Sequence, residues 1–290
     1  MTALLTVEDL WVRFQTRSQI VEAVRGISFS VGRERVGIVG ESGSGKSMTG
    51  RAILGLVQQP GVVSAKRIDF KGRNLATLRS RDLRAIRGQH ISMVMQDPKY
   101  SLNPVIKVGN QIAESYRLHH KASRSEAKIK TLEMLKEVQI PDPERVYNTY
   151  PHELSGGMGQ RVMIAMMLIP NPEILIADEP TSALDVTVQK RILEIMDKLV
   201  RDRGMGLIFI SHDLNLVSSF CDRILIMYGG RIIETCAAKD LHKTTHPYTR
   251  GLLNSLPSLQ NPSARLQILN RDPRWKEEPS VNAISENSNV

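Results

Sequence analysis

The sequence of 290 residues contains few aromatic side chains and little cysteine. Phe, Trp and Tyr together make up 4% of the chain, and only two cysteines, Cys221 and Cys236, are present. Because single-stranded nucleic acids bind largely by stacking on aromatic side chains, we expect no nucleic-acid partner. Two isolated cysteines form no metal-binding pattern and no disulfide framework. We expect both to be small, buried apolar groups.

Long hydrophobic runs are also missing. The longest apolar run, VMIAMMLI at 162–169, is far shorter than the roughly 20 residues that a membrane-spanning helix needs. The first residues, MTALLTVEDLW, lack the basic region of a signal peptide and carry two acidic side chains. These features predict a soluble chain on the cytoplasmic side, which reaches a membrane only through a partner.

The composition predicts a globular protein with an excess of positive charge. Hydrophobic residues make up 41% of the chain, enough for a core, and the formal net charge is +9. By itself, this charge fits nucleic acid, an anionic lipid surface or phosphorylated ligands.

Strand-like and helical segments alternate along most of the chain. Short apolar runs at 35–40, 173–178, 206–211 and 223–228 are typical of buried strands, and helical patterns lie between them. Such alternation predicts an α/β core with a parallel sheet. Residues 97–150 have helical spacing instead and predict a helical insertion. Beyond about residue 256, Pro, Asn and Ser predict a loosely ordered tail.

The stretch GESGSGKS, residues 40–47, fits the phosphate-loop pattern G-x-x-x-x-G-K-[ST]. Its glycines allow backbone N–H groups to approach phosphate oxygens, and the helix that follows adds its positive N-terminal dipole. Lys46 supplies a full charge to the β- and γ-phosphates, and the Ser47 hydroxyl can ligate Mg²⁺. A strand before this loop and a helix after it favour a nucleotide site over a ligand-free structural turn.

A carboxylate pair follows the predicted strand in ILIADEP. Asp178 and Glu179 would lie at the carboxyl end of this strand, where open α/β sheets bind ligands. Asp178 suits Mg²⁺, directly or through water, and Glu179 suits a general base that polarises the attacking water. A solvated strand end is the alternative reading of such a pair.

A second glycine turn occurs in LSGGMGQRVMIAMMLIP. Ser155 is a good helix N-cap, and Gly156 and Gly157 expose the first N–H groups of the following helix. The turn therefore predicts another anion-binding helix start. Taken alone, it also fits an ordinary capped helix.

Four segments in this order, GESGSGKS, LSGGM, ILIADEPTSALD and ISHD, resemble the nucleotide-binding subunits of ATP-binding cassette (ABC) transporters. The resemblance covers roughly residues 4–250. It implies a P-loop NTPase (RecA-like) core, an N-terminal antiparallel β subdomain and an inserted α-helical subdomain. The implied boundaries are 1–96 for the first part of the core, 97–158 for the helical signature subdomain, 159–245 for the second part of the core and 246–290 for a partly disordered C-terminal tail.

The resemblance also assigns roles to single positions. It implies that Gln96 touches Mg²⁺ and the attacking water, that His212 contacts the γ-phosphate and that Asp185 lies on a loop crossing between subunits. Ser155, Gly156 and Gly157 would bind the γ-phosphate of ATP held by the other subunit. Nucleotide-binding positions in the phosphate loop and its helix would be Gly40, Glu41, Ser42, Gly43, Ser44, Gly45, Lys46, Ser47 and Met48.

The adenine contact is less defined by the sequence. Phe14, or alternatively Trp11, is a candidate to stack on the base, and an aromatic on a strand is equally typical of a core.

Further segments narrow the resemblance to the ATPases of dipeptide, oligopeptide and nickel importers. SLNP and HPYT discriminate most. The implied partners are a second ATPase subunit, identical or different, two transmembrane permease subunits and an extracytoplasmic substrate-binding protein. Gly159 departs from the Arg usual in this group, which we expect to weaken a surface or interface contact. The tail also lacks the cysteines of many relatives, so no iron–sulfur cluster is predicted.

Two other readings of the sequence remain possible. One is a soluble ABC ATPase acting on DNA or the ribosome, but the middle is too short for a long coiled coil and only one cassette is present. The other is a cassette that binds ATP without turnover. Intact Asp178, Glu179 and His212 argue against it.

Overall fold

The computed structural model describes residues 3–16, 19–182, 184–255 and 271–284, with the side chains of 99 and 100 left aside. It divides into two compact units. One unit comprises the residues up to 78 together with those from 209 onward, and the other comprises residues 79–208. The segment boundaries implied by the family resemblance remain predictions.

The first unit contains a largely antiparallel sheet. Its strands are β1 (Leu5–Gln15), β2 (Ile20–Val31), β4 (Gly61–Ser64), β5 (Arg67–Phe70) and β6 (Arg73–Asn74). β1 lies between β2 and β5 and also pairs with β4. Leu5, Val7, Leu10 and Val12 of β1 are fully buried. The inward alternation shifts by one residue at Asp9, whose positive φ of 49° marks a bulge between Val7 and Leu10. This sheet confirms the predicted antiparallel β subdomain.

The same unit contains part of the core sheet. β3 (Arg35–Val39) is parallel to β10 (Arg223–Tyr228), and β10 is antiparallel to β11 (Arg231–Ala237). Gly229 and Gly230 join the last two strands with φ values of 54° and 84°. Two consecutive positive φ values are what a tight hairpin turn needs, and they explain the glycine pair.

Three α-helices and the end of the chain also belong to the first unit. The helices are α1 (Lys46–Ile53), α9 (Leu214–Phe220) and α10 (Pro247–Asn254). Residues 271–284, which the composition places in a loosely ordered tail, form a 3-10 helix at Pro273–Lys276 and a short strand β12 (Asn282–Ala283) parallel to β2. The prediction of loose order is therefore wrong for this segment, because Trp275 anchors it in the core with 9% exposure. The stretch from 256 to 270 lies outside the described residues.

The second unit combines parallel strands with the helical insertion. β7 (Ile91–Val94) is parallel to β8 (Ile174–Asp178), and all residues of both strands are buried. β9 (Gly206–Ser211) begins in this unit and ends in the other. The helices are α2 (Ser80–Ile86), α3 (Pro98–Ser101), α4 (Val108–His120), α5 (Arg124–Glu137), α6 (Pro143–Tyr147), α7 (Gly156–Leu168) and α8 (Val186–Arg203). The helical region predicted near 97–150 is confirmed.

Two predictions from composition have clear outcomes. Cys221 is buried as expected, whereas Cys236 is only half-buried. Burial raises the pKa of the Cys221 thiol to about 12, so this group is a neutral part of the core. Among the described residues, no helix combines the length and the apolar character needed to cross a bilayer.

Candidate functional site

The phosphate loop, residues 40–47, connects β3 to α1 in the first unit. A Cβ on Gly40 would lie 2.1 Å from the carbonyl oxygen of Met227, and one on Gly45 would lie 2.3 Å from that of Ala23. These distances exclude any side chain, so the backbone of the loop passes directly against two neighbouring strands. Gly43 has a φ of 79°, which also favours glycine.

Lys46 is the central charge of this loop. Its side chain is buried, with 5% of the residue exposed, and Nζ donates hydrogen bonds of 2.8 Å to the carbonyl oxygens of both Gly40 and Glu41. The Ser44 hydroxyl is buried and has no hydrogen-bond partner among the described residues. A buried cation beside an unsatisfied hydroxyl fits an anionic ligand, because phosphate oxygens would accept from both.

The helix α1 adds further donors. It begins after Gly45, and within the described part of the chain no side chain caps it. The N-terminal end of a helix, with its N–H groups and its positive dipole end, is suited to phosphate oxygens. Ser47 and Met48 occupy this first turn, and both are half-buried. The Ser47 hydroxyl lies one position after Lys46, as a Mg²⁺ ligand in such a loop requires.

His212 lies close to the phosphate loop. It borders a cavity of about 300 Å³ whose other lining residues are Val39, Gly40, Glu41, Ser42, Leu214 and Leu252. The following residue, Asp213, caps α9 by accepting a hydrogen bond of 3.0 Å from the backbone N–H of Leu216. Because this cap fixes the start of α9, it also fixes the backbone next to His212. The first unit thus brings together the phosphate loop and His212, both of which the sequence predicts as parts of the site.

The two candidates for the adenine contact lie on β1. Phe14 is half-buried and is paired across the sheet with Val21 and Gly61. Trp11 is also half-buried, and the Arg13 guanidinium lies 4.1 Å from the centre of its ring. That Phe14, or alternatively Trp11, stacks on adenine remains a prediction.

In the second unit, Gln96 contacts the predicted general base. Its amide Nε2 lies 3.3 Å from Oε2 of Glu179 and 3.4 Å from Oγ of Ser182, and the Ser182 hydroxyl donates to the Glu179 carbonyl at 3.2 Å. Glu179 itself has a φ of 46°, in the left-handed region that is uncommon for Glu. Asp178, at the end of β8, is 4% exposed. Ser182 was not predicted, and only its place three residues after Glu179 could have indicated it.

The signature turn, residues 155–157, begins α7. Ser155 caps this helix, accepting from the backbone N–H of Met158 at 3.4 Å, and both Ser155 and Gly156 are exposed. A Cβ on Gly157 would lie 2.6 Å from Cγ1 of Val188, so this glycine is required by packing against α8. Asp185 caps α8 through a hydrogen bond of 3.0 Å from the N–H of Val188.

A cavity of about 740 Å³ in the second unit is lined in part by Gln96, Ser155, Gly156 and Gly159. At Gly159, a Cβ would lie 3.7 Å from Pro98, an ordinary contact. The Cβ of an arginine, the residue usual at this position, would therefore fit without a clash.

The second unit brings Gln96, Glu179 and the signature turn together, while the phosphate loop and His212 belong to the first unit. A joint site made from both units remains a prediction.

Two further residues near the phosphate loop were missed by sequence reasoning. The backbone N–H of Glu41 donates to the Tyr248 hydroxyl at 3.1 Å, and Arg271 forms an ion pair of 2.5 Å with the Glu41 carboxylate. Burial raises the pKa of Tyr248 well above its usual range, so the phenol is neutral. Tyr248 is part of the HPYT segment, but the pattern gave no role to its side chain.

The fold and the loop define a P-loop NTPase, and comparisons with known proteins specify the family. The family model "ABC transporter" matches residues 24–182, more than half of the chain. A probable peptide ABC transporter ATP-binding protein of Sinorhizobium fredii is 50% identical over 88% of this chain and 77% of its own length. The dipeptide transport ATP-binding protein DppD of Haemophilus influenzae is 48% identical over 92% of this chain and 82% of its own length. This chain therefore belongs to the ABC transporter family.

A solved structure agrees with this assignment. The ATP-binding cassette MJ0796, determined as a dimer in a post-hydrolysis state bound to ADP and Pi, superimposes with a TM-score of 0.71. It is 27% identical, and the match covers 81% of this chain and 98% of that one. The predicted resemblance and the predicted fold class are confirmed.

Proposed function

We propose that this chain is the ATP-binding and ATP-hydrolysing subunit of an ABC importer for peptides. The observation that supports ATP binding best is the phosphate loop, with its buried Lys46 ammonium, a Ser44 hydroxyl that has no hydrogen-bond partner among the described residues, and the start of α1 directly after the loop. The peptide assignment is supported by the names of the two relatives, which describe peptide and dipeptide transport.

In this proposal, hydrolysis depends on the carboxylates at the end of β8. Glu179 accepts a proton from the attacking water, and the Gln96 amide, 3.3 Å from its carboxylate, orients it. His212 contacts the γ-phosphate from its place beside the phosphate loop. Asp178, Ser47 and Gln96 would hold Mg²⁺. When bound, this ion neutralises charge that develops on the phosphates.

The signature turn supplies the second half of a nucleotide site. Ser155 and Gly156 are exposed, and their hydroxyl and backbone donors are suited to the γ-phosphate of ATP held by another subunit. Asp185 would lie where the two subunits cross. The partner is either a second copy of this chain or a different cassette. The dimeric state of the cassette MJ0796 supports such pairing.

ATP binding and hydrolysis would then drive transport by opening and closing this pair. ATP stabilises the closed state, because each nucleotide bridges Lys46 of one subunit and Ser155 of the other. Hydrolysis removes that bridge. Two transmembrane permease subunits hold the pair at the cytoplasmic face of the membrane, and an extracytoplasmic substrate-binding protein delivers the peptide. The helical region beginning after Gln96 would pass the movement to the permeases.

The substitution Glu179→Gln tests the proposed hydrolysis. It keeps the size and hydrogen-bonding reach of the side chain but removes the base. We expect ATP binding to persist and hydrolysis by the assembled importer to fall at least about a hundredfold. Glu194→Gln, at an exposed position of α8, is the control and should hydrolyse ATP normally. A Glu179→Gln protein that turned over ATP at the wild-type rate would contradict the assignment.

A further inference from the structure

Glu41 places a carboxylate inside the phosphate-binding loop, where its charge opposes that of a triphosphate. The structure compensates for it. Arg271 approaches the carboxylate with two nitrogens, Nη2 at 2.5 Å from Oε1 and Nε at 3.2 Å from Oε2. Such a bidentate ion pair neutralises the carboxylate and also fixes its orientation.

The backbone of Glu41 is also held on both sides. Its N–H donates to the Tyr248 hydroxyl at 3.1 Å, and its carbonyl accepts from Lys46 Nζ at 2.8 Å. Tyr248 is fully buried. Its ring lies 4.5 Å from that of Tyr228 and 6.1 Å from that of Trp275, centre to centre. This aromatic cluster leaves the phenol little freedom.

Arg271 belongs to the clamp segment, residues 271–284, which is anchored at several points along its length. The Arg25 guanidinium donates to the Lys276 carbonyl at 2.7 Å, and the Arg223 guanidinium donates to the Ala283 carbonyl at 3.0 Å. The backbone N–H of Val281 donates to the Ile232 carbonyl at 2.7 Å. Arg271 therefore projects from a fixed part of the fold.

The hairpin between β10 and β11 contacts both the phosphate loop and the clamp segment. The backbone N–H of Gly230 donates to the Ser44 carbonyl at 3.2 Å. The neighbouring Gly229 faces Lys276, whose Cγ would lie 3.3 Å from a Cβ built on this glycine. The loop and the segment thus share one rigid support.

We propose that the clamp segment positions the phosphate loop for nucleotide binding, with Arg271 neutralising Glu41 and Tyr248 fixing its backbone. Arg271 and Tyr248 are positioning residues that act through Glu41. Without Arg271, the Glu41 carboxylate would repel the triphosphate and would be free to turn toward Lys46. This inference rests on the proposed nucleotide-binding function and extends it to the C-terminal part of the chain.

The test measures the affinity of the full-length chain for Mg²⁺ and a non-hydrolysable ATP analogue by calorimetry. We expect Arg271→Ala to weaken binding about three- to fivefold at low salt, a modest effect because the pair is partly exposed. The loss should shrink as salt rises. Adding Glu41→Gln to Arg271→Ala should recover most of the affinity, since the repelling charge is then gone.

Arg274→Ala is the matched control. Arg274 lies in the same segment, but its guanidinium pairs with Asp272 at 2.6 Å and is largely exposed, so its removal should leave affinity unchanged. Wild-type affinity in Arg271→Ala would overturn the proposal, as would a loss that Glu41→Gln does not recover. If Arg271→Ala misfolds by circular dichroism, Arg271→Gln, which keeps much of the length of the side chain but removes its charge, replaces it with the same expected direction and salt dependence. A wild-type chain that bound no nucleotide would instead overturn the proposed function, and the clamp with it.

Discussion

The phosphate loop and the signature turn are both glycine-rich helix starts, but they prepare for an anion in different ways. Helix α1 follows Gly45 without a side-chain cap in the described structure, and Lys46 at its start is buried. Helix α7 is capped by Ser155, and its first turn, Gly-Gly-Met-Gly, carries no charge. The loop has backbone donors and a cation of its own, whereas the turn itself has only uncharged donors, and the Arg161 guanidinium beside it donates to the carbonyls of Gly157 at 3.2 Å and Gln139 at 2.5 Å.

This difference explains why one chain would need another. Backbone donors and a helix dipole without a full positive charge contribute on the order of 1 kcal/mol to holding an anion at an exposed site. The signature turn would therefore bind a phosphate only when that phosphate is delivered by a stronger site. The phosphate loop of a second cassette, with its own Lys46 or an equivalent lysine, is such a site. Substitutions in the phosphate loop and in the signature turn should therefore have different effects.

The largest effect is expected for Lys46→Ala. Removing the only full charge among the donors of the loop should weaken binding of ATP with Mg²⁺ at least about a hundredfold. Equilibrium binding of a labelled nucleotide measures this loss. Lys198→Ala, at an exposed position of α8, should bind normally. Unchanged affinity in Lys46→Ala would remove the distinction between the two helix starts.

An intermediate effect on stability is expected at the signature turn. A Cβ on Gly157 would lie 2.6 Å from Val188, whereas one on Gly156 would lie 3.6 Å from Leu184. Gly157→Ala should therefore lower the free energy of unfolding by about 1 to 2 kcal/mol, a packing cost partly offset by the better helix propensity of Ala. Gly156→Ala should leave it within about 0.5 kcal/mol.

Denaturant unfolding measures both variants. Adding Val188→Ala to Gly157→Ala should restore part of the stability by making room. If Gly156→Ala proved the more destabilising of the two, the packing described for this turn would be wrong.

The smallest structural effect is expected for Ser155→Ala. Ser155 and Ser123 are both helix N-caps, accepting from the N–H of Met158 at 3.4 Å and of Glu126 at 3.1 Å. Replacing either by Ala should cost about 0.5 to 1 kcal/mol of stability. Only Ser155→Ala should also slow ATP hydrolysis by the assembled importer, by about tenfold. Equal hydrolysis by the two variants would indicate that Ser155 is a cap and nothing more.

Local patterns were sufficient for much of this fold. The phosphate loop could be predicted because its glycines, lysine and serine are consecutive, and β8 and β9 because their apolar runs are continuous. Gly229 and Gly230 are consecutive as well, and they adopt the two positive φ values that the tight turn between β10 and β11 requires. Strands β4 to β7 were missed because each has four residues or fewer, too short for a period to be seen.

Long-range contacts could not be predicted from such patterns. Arg271 and Glu41 are separated by 230 positions, and no local spacing connects them. The composition of the tail suggested loose order, but Trp275 and the hydrogen bonds to Lys276 and Ala283 fix residues 271–284. For the same reason Cys236 proved half-buried, because the exposure of a strand residue depends on what covers it.

The most direct test of the central claim is the mass of the Glu179→Gln chain in solution with and without ATP and Mg²⁺. Sedimentation equilibrium would be run on this chain alone and with the second cassette of its importer. We predict that ATP produces a pair of cassettes in one of these two samples, and that adding Ser155→Arg abolishes the pair while ATP stays bound. A chain that binds ATP and remains a monomer in both samples, or a pair that forms equally well with Ser155→Arg, would contradict it.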